Sequence, residues 1–390
     1  MSSSAGSRDA LLMLKLDETW QSDRMRAAWD WFAADFLPCS ASEIKAVMDP
    51  AHPHSADFRA VTSYWEMAAS FVVRGALNAQ MLESASELRL VWIRVMESIE
   101  QVRGEMAWPG FLANVERIAT AAPVELERAR TLDEAGQRRR AAKDAREYLA
   151  NGWACSESVQ ETILRDYLYV CLRGQAGVAS VCNLEFAARH VVEKKLRGAF
   201  VECGTWRGAS LTFWARSFLR NGGDDSAAHI YGFDSFEGMP RMTQEDGERA
   251  SQWLYGKRLS DVESPLTDGS LVSTGANLAS EAECLAFVES TGYNKDSIHV
   301  IKGWFQDTLP KHKRRIGPIA VLRLDADFYE ATKFCLETLY DRVLSHGLVI
   351  LDDYEYFDGC RQAADEFIAS HEPGANLIYY GDFGRCFFKP

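Results

Sequence analysis

Two short stretches of this 390-residue chain place carboxylates where chemistry could use them. VLRLDADFYE, Val321 to Glu330, runs an apolar segment, interrupted only by Arg323, into Asp325 and Asp327. LVILDDY, Leu348 to Tyr354, ends the same way in Asp352 and Asp353. Asp325 and Asp352 are 27 residues apart, the separation that one strand–helix–strand unit produces. Adjacent strands would therefore bring Asp325, Asp352 and Asp353 to one sheet edge, with Asp327 left open as a fourth member. Like charges so crowded raise one another's pKa unless protons or a cation offset them. Hard carboxylate oxygens in that arrangement suit Mg²⁺ or another hard divalent ion. Acid pairs also cap helices, so neither stretch alone defines a site.

A glycine loop supplies a second kind of signal. In VECGTWRGAS, Val201 to Ser210, Glu202 follows an apolar run, Gly204 and Gly208 permit a tight turn, and Thr205 and Ser210 offer hydroxyls where a helix begins. Such a loop lets a ligand approach the backbone closely. Its spacing is not GxGxxG, which weakens a dinucleotide-dehydrogenase reading. GFDSFEGMP then sets Asp234 at the same edge, placed to accept hydrogen bonds from a ribose diol. Alone, an acid there is more often a helix cap.

These residues need elements to hold them. AFVEC (199–203), AHIYGF (228–233), SIHVIK (297–302), IAVLRL (319–324), GLVIL (347–351) and NLIYY (376–380) have strand length and composition. Helical patterns over Ser210–Arg220, Glu281–Ser290, Thr332–Leu344 and Cys360–Ala369 alternate with them. The alternation predicts an α/β domain: a mainly parallel sheet, helices on both faces, and ligands at the carboxyl ends of the strands. The segment from Arg241 to Asn294 reads as a long irregular insertion, expected to be a lid.

The first part of the chain differs. From Asp57 to Ile118 apolar residues recur at helical spacing, as in Leu88, Val91, Trp92, Val95, Met96 and Ile99, and Thr131–Tyr148 is a charged helix or connector. This divides the chain into a helical N-terminal domain, 1–150, and an α/β domain, 151–390. Trp20, Trp29, Trp31, Trp65 and Trp92 read as core or dimer-interface residues, so the first domain is expected to serve oligomerisation or substrate presentation.

The formal charge of −13 disfavours a broad nucleic-acid surface. The nine cysteines contain no CxxC pair and read as reduced thiols. No signal-peptide h-region or membrane-length apolar run is apparent, and the expectation is a cytoplasmic protein without membrane partners.

VECGTWRGAS, YGFDSFEGMP, IKGWFQDTLP, VLRLDADFYEAT and VILDDYEYFDGCRQAADEF, in this order, resemble the motifs of the macrocin O-methyltransferase family, over about Ser180 to Lys389. These are class I S-adenosylmethionine-dependent enzymes acting on sugar hydroxyls of natural products. The resemblance implies a Rossmann-like fold with a mainly parallel seven-stranded sheet behind the helical N-terminal domain. It implies that Glu202, Gly204, Thr205, Gly208 and Ser210 lie along the methionine and ribose of S-adenosylmethionine, that Asp234, with Ser235 nearby, holds the ribose, and that Gly303 and Trp304 border the adenine. It makes Asp325, Asp352 and Asp353 the Mg²⁺ ligands and Asp325 also the leading general base; Asp327 matches a family acid of less clear role. His190, His299 and His346 are alternative bases, each more simply structural. The implied partner is a small-molecule hydroxyl acceptor. Ala326 stands where the family usually has glycine, and CGTWRGAS where it tends to have TGVWRGG. A metal-dependent glycosyltransferase using DxD, a phosphatase and a cofactor-binding assembly module are rival readings; the first leaves VECGTW and LDDY unexplained.

Overall fold

The computed structural model describes residues 5–38, 41–82, 85–152, 156–255, 258–262, 271–381 and 383–390. Cys39, Cys155 and parts of the expected lid, 256–257 and 263–270, lie outside the described residues; the described cysteines are free thiols. The chain forms two compact units, the first running to Gly136 with a short stretch from Leu254, the second taking the remainder.

The first unit is helical: α1 (Ala5–Trp20), α2 (Asp23–Ala34), α3 (Ala41–Met48), α4 (Ser55–Val73), α5 (Ser86–Val95), α6 (Ile99–Glu105), α7 (Ala113–Thr120) and the start of α8 (Pro123–Gly152). In α5 the stripe Leu88, Val91, Trp92 and Val95 recurs at i, i+3, i+4 and i+7 and is buried throughout. In α4 the buried side falls on Tyr64, Trp65 and Ala68 and leaves Met67 exposed. Trp20 packs against Trp29, Tyr64 and Trp65 with ring centroids 5.0–5.2 Å apart, so these indoles belong to the unit's own core.

The second unit holds α9 (Glu157–Val170), α10 (Val178–Glu193), β1 (Ala199–Cys203), α11 (Ala209–Arg220), β2 (Ile230–Asp234), α12 (Gly247–Tyr255) up to Trp253, α13 (Glu281–Glu289), β3 (Ile298–Lys302), α14 (Phe305–Ile316), β4 (Ile319–Leu324), α15 (Tyr329–Leu339), β5 (Val343–Leu351), α16 (Asp358–His371), β6 (Ile378–Tyr380) and β7 (Gly384–Phe388). The seven strands form one sheet in the order β3-β2-β1-β4-β5-β7-β6. β7 runs antiparallel to both of its neighbours, and the other pairings are parallel. Two boundaries differ from the sequence reading. β7 was absent from the six expected runs, and β5 begins at Val343, which pairs with Ile319, so the helix expected to reach Leu344 stops at Leu339. Pairing across the sheet overrides the helical pattern there.

Alternation distributes the strands' side chains between two cores. Phe200, Val321, Leu348 and Ile350 pack with Leu184, Leu211 and Trp214; Val201, Leu322, Leu324, Val349 and Leu351 pack with Leu309, Leu336 and Phe367. At the carboxyl edge the strand ends interlock: Gly204 N–H donates to Phe233 O at 2.8 Å, Asp325 N–H to Cys203 O at 2.9 Å, and Asp352 N–H to Leu324 O at 2.9 Å. Gly204 has φ +91° and passes so close to β4 that a Cβ there would lie 1.8 Å from Asp325 O. Gly204→Ala is therefore expected to displace the Asp325 loop or unfold the unit, lowering the melting temperature by several degrees, as about 3 kcal/mol of strain would; an unchanged melt would contradict this packing.

Candidate active site

A cavity of about 560 Å³ opens over that edge. It is lined by Gly204, Thr205, Ser210, Asp234, Ser235 and Trp304 and also by Asp325, Asp327, Asp352 and Asp353. The strand ends explain why residues so distant in sequence meet: β1, β4 and β5 are neighbours, and the turns that follow them carry the loop and both acid motifs. Glu202, Gly208 and Gly303, expected along the cofactor, do not line the cavity. The Cβ position of Gly208 faces Cys284 Sγ, and Gly303 N–H ties β3 to Asp234 O at 2.9 Å.

Asp234 orders the loop beside it. Its two oxygens accept from Trp206 N–H and Phe236 N–H, each at 2.8 Å. A carboxylate oxygen accepts more than one bond, so a diol could still be received. Ser235 Oγ donates to Gly238 O at 2.7 Å and bends the chain toward Met239 and Pro240, both on the cavity wall.

Asp325, Asp327 and Asp353 form a cluster in which one carboxylate oxygen from each lies within 4.8 Å of the others. Burial raises all three pKa values; for Asp327 and Asp353 the neighbouring carboxylates push further the same way, while for Asp325 the Arg323 guanidinium opposes the rise. Asp353 Oδ2 is buried without a hydrogen-bond partner in the described structure. An all-oxygen donor set with an unsatisfied carboxylate oxygen fits a hard divalent cation. Asp327 sits at φ +58°, the left-handed region that Asp tolerates better than most residues, and this turn swings its carboxylate back over Asp325.

Asp352, expected among the Mg²⁺ ligands, lies outside that cluster, and Asp327 takes its place there. Asp352 Oδ2 pairs with Arg323 Nη2 at 2.7 Å, and its Oδ1 accepts from Ser180 Oγ and Tyr380 OH, each at 3.0 Å. Arg323 also donates through Nη1 to Glu202 Oε1 at 2.5 Å and to Asp325 Oδ2 at 2.8 Å. Glu202 and Arg323 are register partners on β1 and β4, so they share a sheet face, and Glu202 lies wholly buried beneath the cavity. Desolvation lifts its pKa to about 8 despite the guanidinium. Ser180, Tyr380 and Arg323 were not among the expected site residues; the legible signal was the single charge inside the apolar run IAVLRL.

Aromatic side chains form the remaining wall: Trp253, Phe328, Tyr356, Phe357 and Phe383 line the cavity, with Tyr356–Phe357 and Tyr356–Phe383 centroids 4.7 and 5.0 Å apart. Part of the expected lid is ordered and rooted beside the acids. Asp246 accepts from Thr243 N–H and from Tyr329 N–H, each at 2.6 Å, the latter capping α15 just after the Asp325 loop. None of His190, His299 and His346 lines the cavity; His190 bonds His346 O at 2.8 Å, and His299 pairs with His229 at 3.0 Å.

A mainly parallel seven-stranded sheet with helices on both faces and this crevice at its carboxyl edge define a Rossmann-like methyltransferase domain. The family described as Macrocin-O-methyltransferase (TylF) matches residues 174–388, more than half of the chain, and the chain belongs to that family. A family described as a domain of unknown function (DUF4760) matches residues 10–121. Among curated proteins, a tetracenomycin-type enzyme of Streptomyces olivaceus, 8-demethyl-8-(2,3-dimethoxy-alpha-L-rhamnosyl)-tetracenomycin-C 4'-O-methyltransferase, is 34% identical over 191 residues, 49% of this chain and 66% of its own. Mycinamicin III 3''-O-methyltransferase of Micromonospora griseorubida is 31% identical over 195 residues, 50% of this chain and 70% of its own. The chain thus spans about two thirds of the length of these relatives. Among solved structures, the O-methyltransferase NovP is 26% identical, with 56% of this chain and 82% of that one covered at a TM-score of 0.45. No helix among the described residues is long and apolar enough to cross a membrane.

Proposed function

We propose that this chain transfers the methyl group of S-adenosylmethionine to a hydroxyl of a natural-product or sugar-type small molecule, assisted by Mg²⁺ or a similar cation. The observation that carries the reading is the meeting, in one cavity, of the Gly204–Asp234 crevice with the Asp325–Asp327–Asp353 cluster. The relatives' names describe methylation of such hydroxyls.

In this reading Gly204, Thr205 and Ser210 would hold the cofactor, Asp234 would accept from its ribose hydroxyls and Trp304 would border its adenine. The acceptor sits between the acids and the aromatic wall, where Tyr356 and Phe357 cover an apolar ring face. A bound divalent cation would be held by Asp325, Asp327 and Asp353, and it supplies Lewis-acid acidification of the acceptor hydroxyl. The sulfonium–methyl bond breaks as the oxygen–methyl bond forms, leaving S-adenosylhomocysteine and a methyl ether, and the hydroxyl proton passes to a carboxylate. Asp327 suits that last role better than Asp325. Asp325 is tied to Arg323 at 2.8 Å, which disfavours its protonated form, whereas Asp327 has no ion-pair partner among the described residues. Fixing acceptor and methyl donor in one cavity supplies much of the remaining acceleration.

The DxD glycosyltransferase alternative fits less well. It leaves the Gly204–Asp234 loop on the cavity wall without a role, and the family that matches residues 174–388 is one of O-methyltransferases. Isothermal titration calorimetry of the full chain separates the two: S-adenosylhomocysteine is expected to bind and a nucleotide-diphosphate sugar to give no heat, and the reverse pattern would refute methyl transfer.

A further inference from the structure

The feature that the proposed function leaves unused is Arg323, the sole charge within β4 and a fully buried one. Burying a guanidinium is unfavourable, and an ion pair of this kind is often replaceable by apolar side chains without loss of stability. A requirement of the fold is therefore a poor explanation for it. Its surroundings point elsewhere: the two ends of its planar fork reach three carboxylates from three adjacent strands, Glu202 of β1, Asp325 at the end of β4 and Asp352 at the end of β5. Of these, Asp325 and Asp352 line the cavity, and Glu202 is fully buried outside its lining.

We propose that Arg323 is a positioning residue for the cation site: it locks the carboxylates of Asp325 and Asp352 in fixed orientations across the gap between β4 and β5, so that Asp325 meets Asp327 and Asp353 at ligand distance. The inference rests on the cation reading above. Geometry explains why the residue is an arginine. Asp325 follows Arg323 by two residues and so rises from the same sheet face, while Asp352 enters from the next strand; one planar group with separate nitrogens satisfies both while holding Glu202 below. A lysine carries a single point charge on a flexible stem and cannot fix two carboxylate planes together. The guanidinium also offsets part of the repulsion among the acids, which lets the cluster persist before a cation enters.

The test measures Mn²⁺ binding by calorimetry and by the electron paramagnetic resonance spectrum of the bound ion, with melting curves recorded in parallel. Arg323→Lys is expected to stay folded and to bind Mn²⁺ about 10- to 100-fold more weakly, the range seen when residues that orient metal ligands are changed. The spectrum of the bound ion should broaden as the ligand set becomes heterogeneous. A second variant, Glu202→Gln with Arg323→Gln, removes the guanidinium together with the buried carboxylate beneath it and should show the same loss. Parental affinity and spectrum in either folded variant would overturn the proposal, as would unfolding of both variants, which would make Arg323 a requirement of the fold. Asp353→Asn is the reference: if the parent binds no Mn²⁺, or Asp353→Asn leaves binding unchanged, the cation reading fails and the role of Arg323 falls with it. Loss in Asp353→Asn with full binding in folded Arg323→Lys refutes the positioning role alone.

Discussion

Asp327→Asn is expected to lower kcat/KM for methyl transfer about 10³-fold, roughly 4 kcal/mol of transition-state stabilisation, without lowering the melting temperature. The two halves of this result have separate causes. Activity falls because the amide cannot take the acceptor's proton, and because one oxygen of the three-acid cluster loses its charge. Stability is kept because Asp327 is uncomfortable as a carboxylate: burial, Asp325 and Asp352 all disfavour its charged form. A carboxyl whose folded pKa lies above its unfolded value is least unfavourable at low pH, and its penalty grows as pH rises above the unfolded value, about 4. The neutral amide avoids that penalty, so in chelator the variant should melt at or above the parent at pH 7 and should show a shallower decline from pH 5 to pH 8. Asn tolerates the left-handed backbone at φ +58° at least as readily as Asp, so the turn itself is not disturbed. A variant that keeps its turnover would remove Asp327 from the chemistry. One that loses turnover and several degrees of stability together would indicate a structural role.

Removal of divalent cations is the second large effect. Chelation is expected to reduce turnover by about 10³-fold or more and Mg²⁺ to restore it, while S-adenosylhomocysteine still binds beside Gly204 and Asp234. Asp353→Asn should reproduce the loss without restoration by Mg²⁺. Asp353 is the informative position because one of its oxygens is buried with no hydrogen-bond partner, and its pKa is raised by burial and then by Asp327 and Asp325. It has no salt-bridge partner among the described residues, in contrast to Asp352, which Arg323, Ser180 and Tyr380 already satisfy. Full turnover in chelator, measured by S-adenosylhomocysteine release, would show that the acids work without a cation.

Much of the α/β half was legible before any coordinates. Five of the seven strands are parallel neighbours whose apolar runs could be read directly, and the acid motifs follow β4 and β5 as their separation implied. Of the residues expected along the cofactor, Gly204, Thr205, Ser210, Asp234, Ser235 and Trp304 line the cavity. What escaped was non-local. GRCFF becomes β7 because it closes an antiparallel pair with β5 and β6, and five terminal residues carry little periodicity of their own. Glu202, which the family resemblance implied along the cofactor, does not line the cavity; it is fully buried, where its register partner Arg323 donates to Oε1.

By itself the sequence determined which residues reach the carboxyl edge, because strand length, the period of two and the position of each acid after its apolar run are local properties. Only the tertiary structure decided which way those acids face. Asp352 and Asp353 are adjacent in the chain, and Asp325 and Asp327 are separated only by Ala326, but the orientation of Asp352 depends on a guanidinium from β4, a hydroxyl from α10 and a phenol from β6. Hydrogen bonds of that kind join elements more than a hundred residues apart, such as Ser180 and Asp352, and no spacing rule reads them.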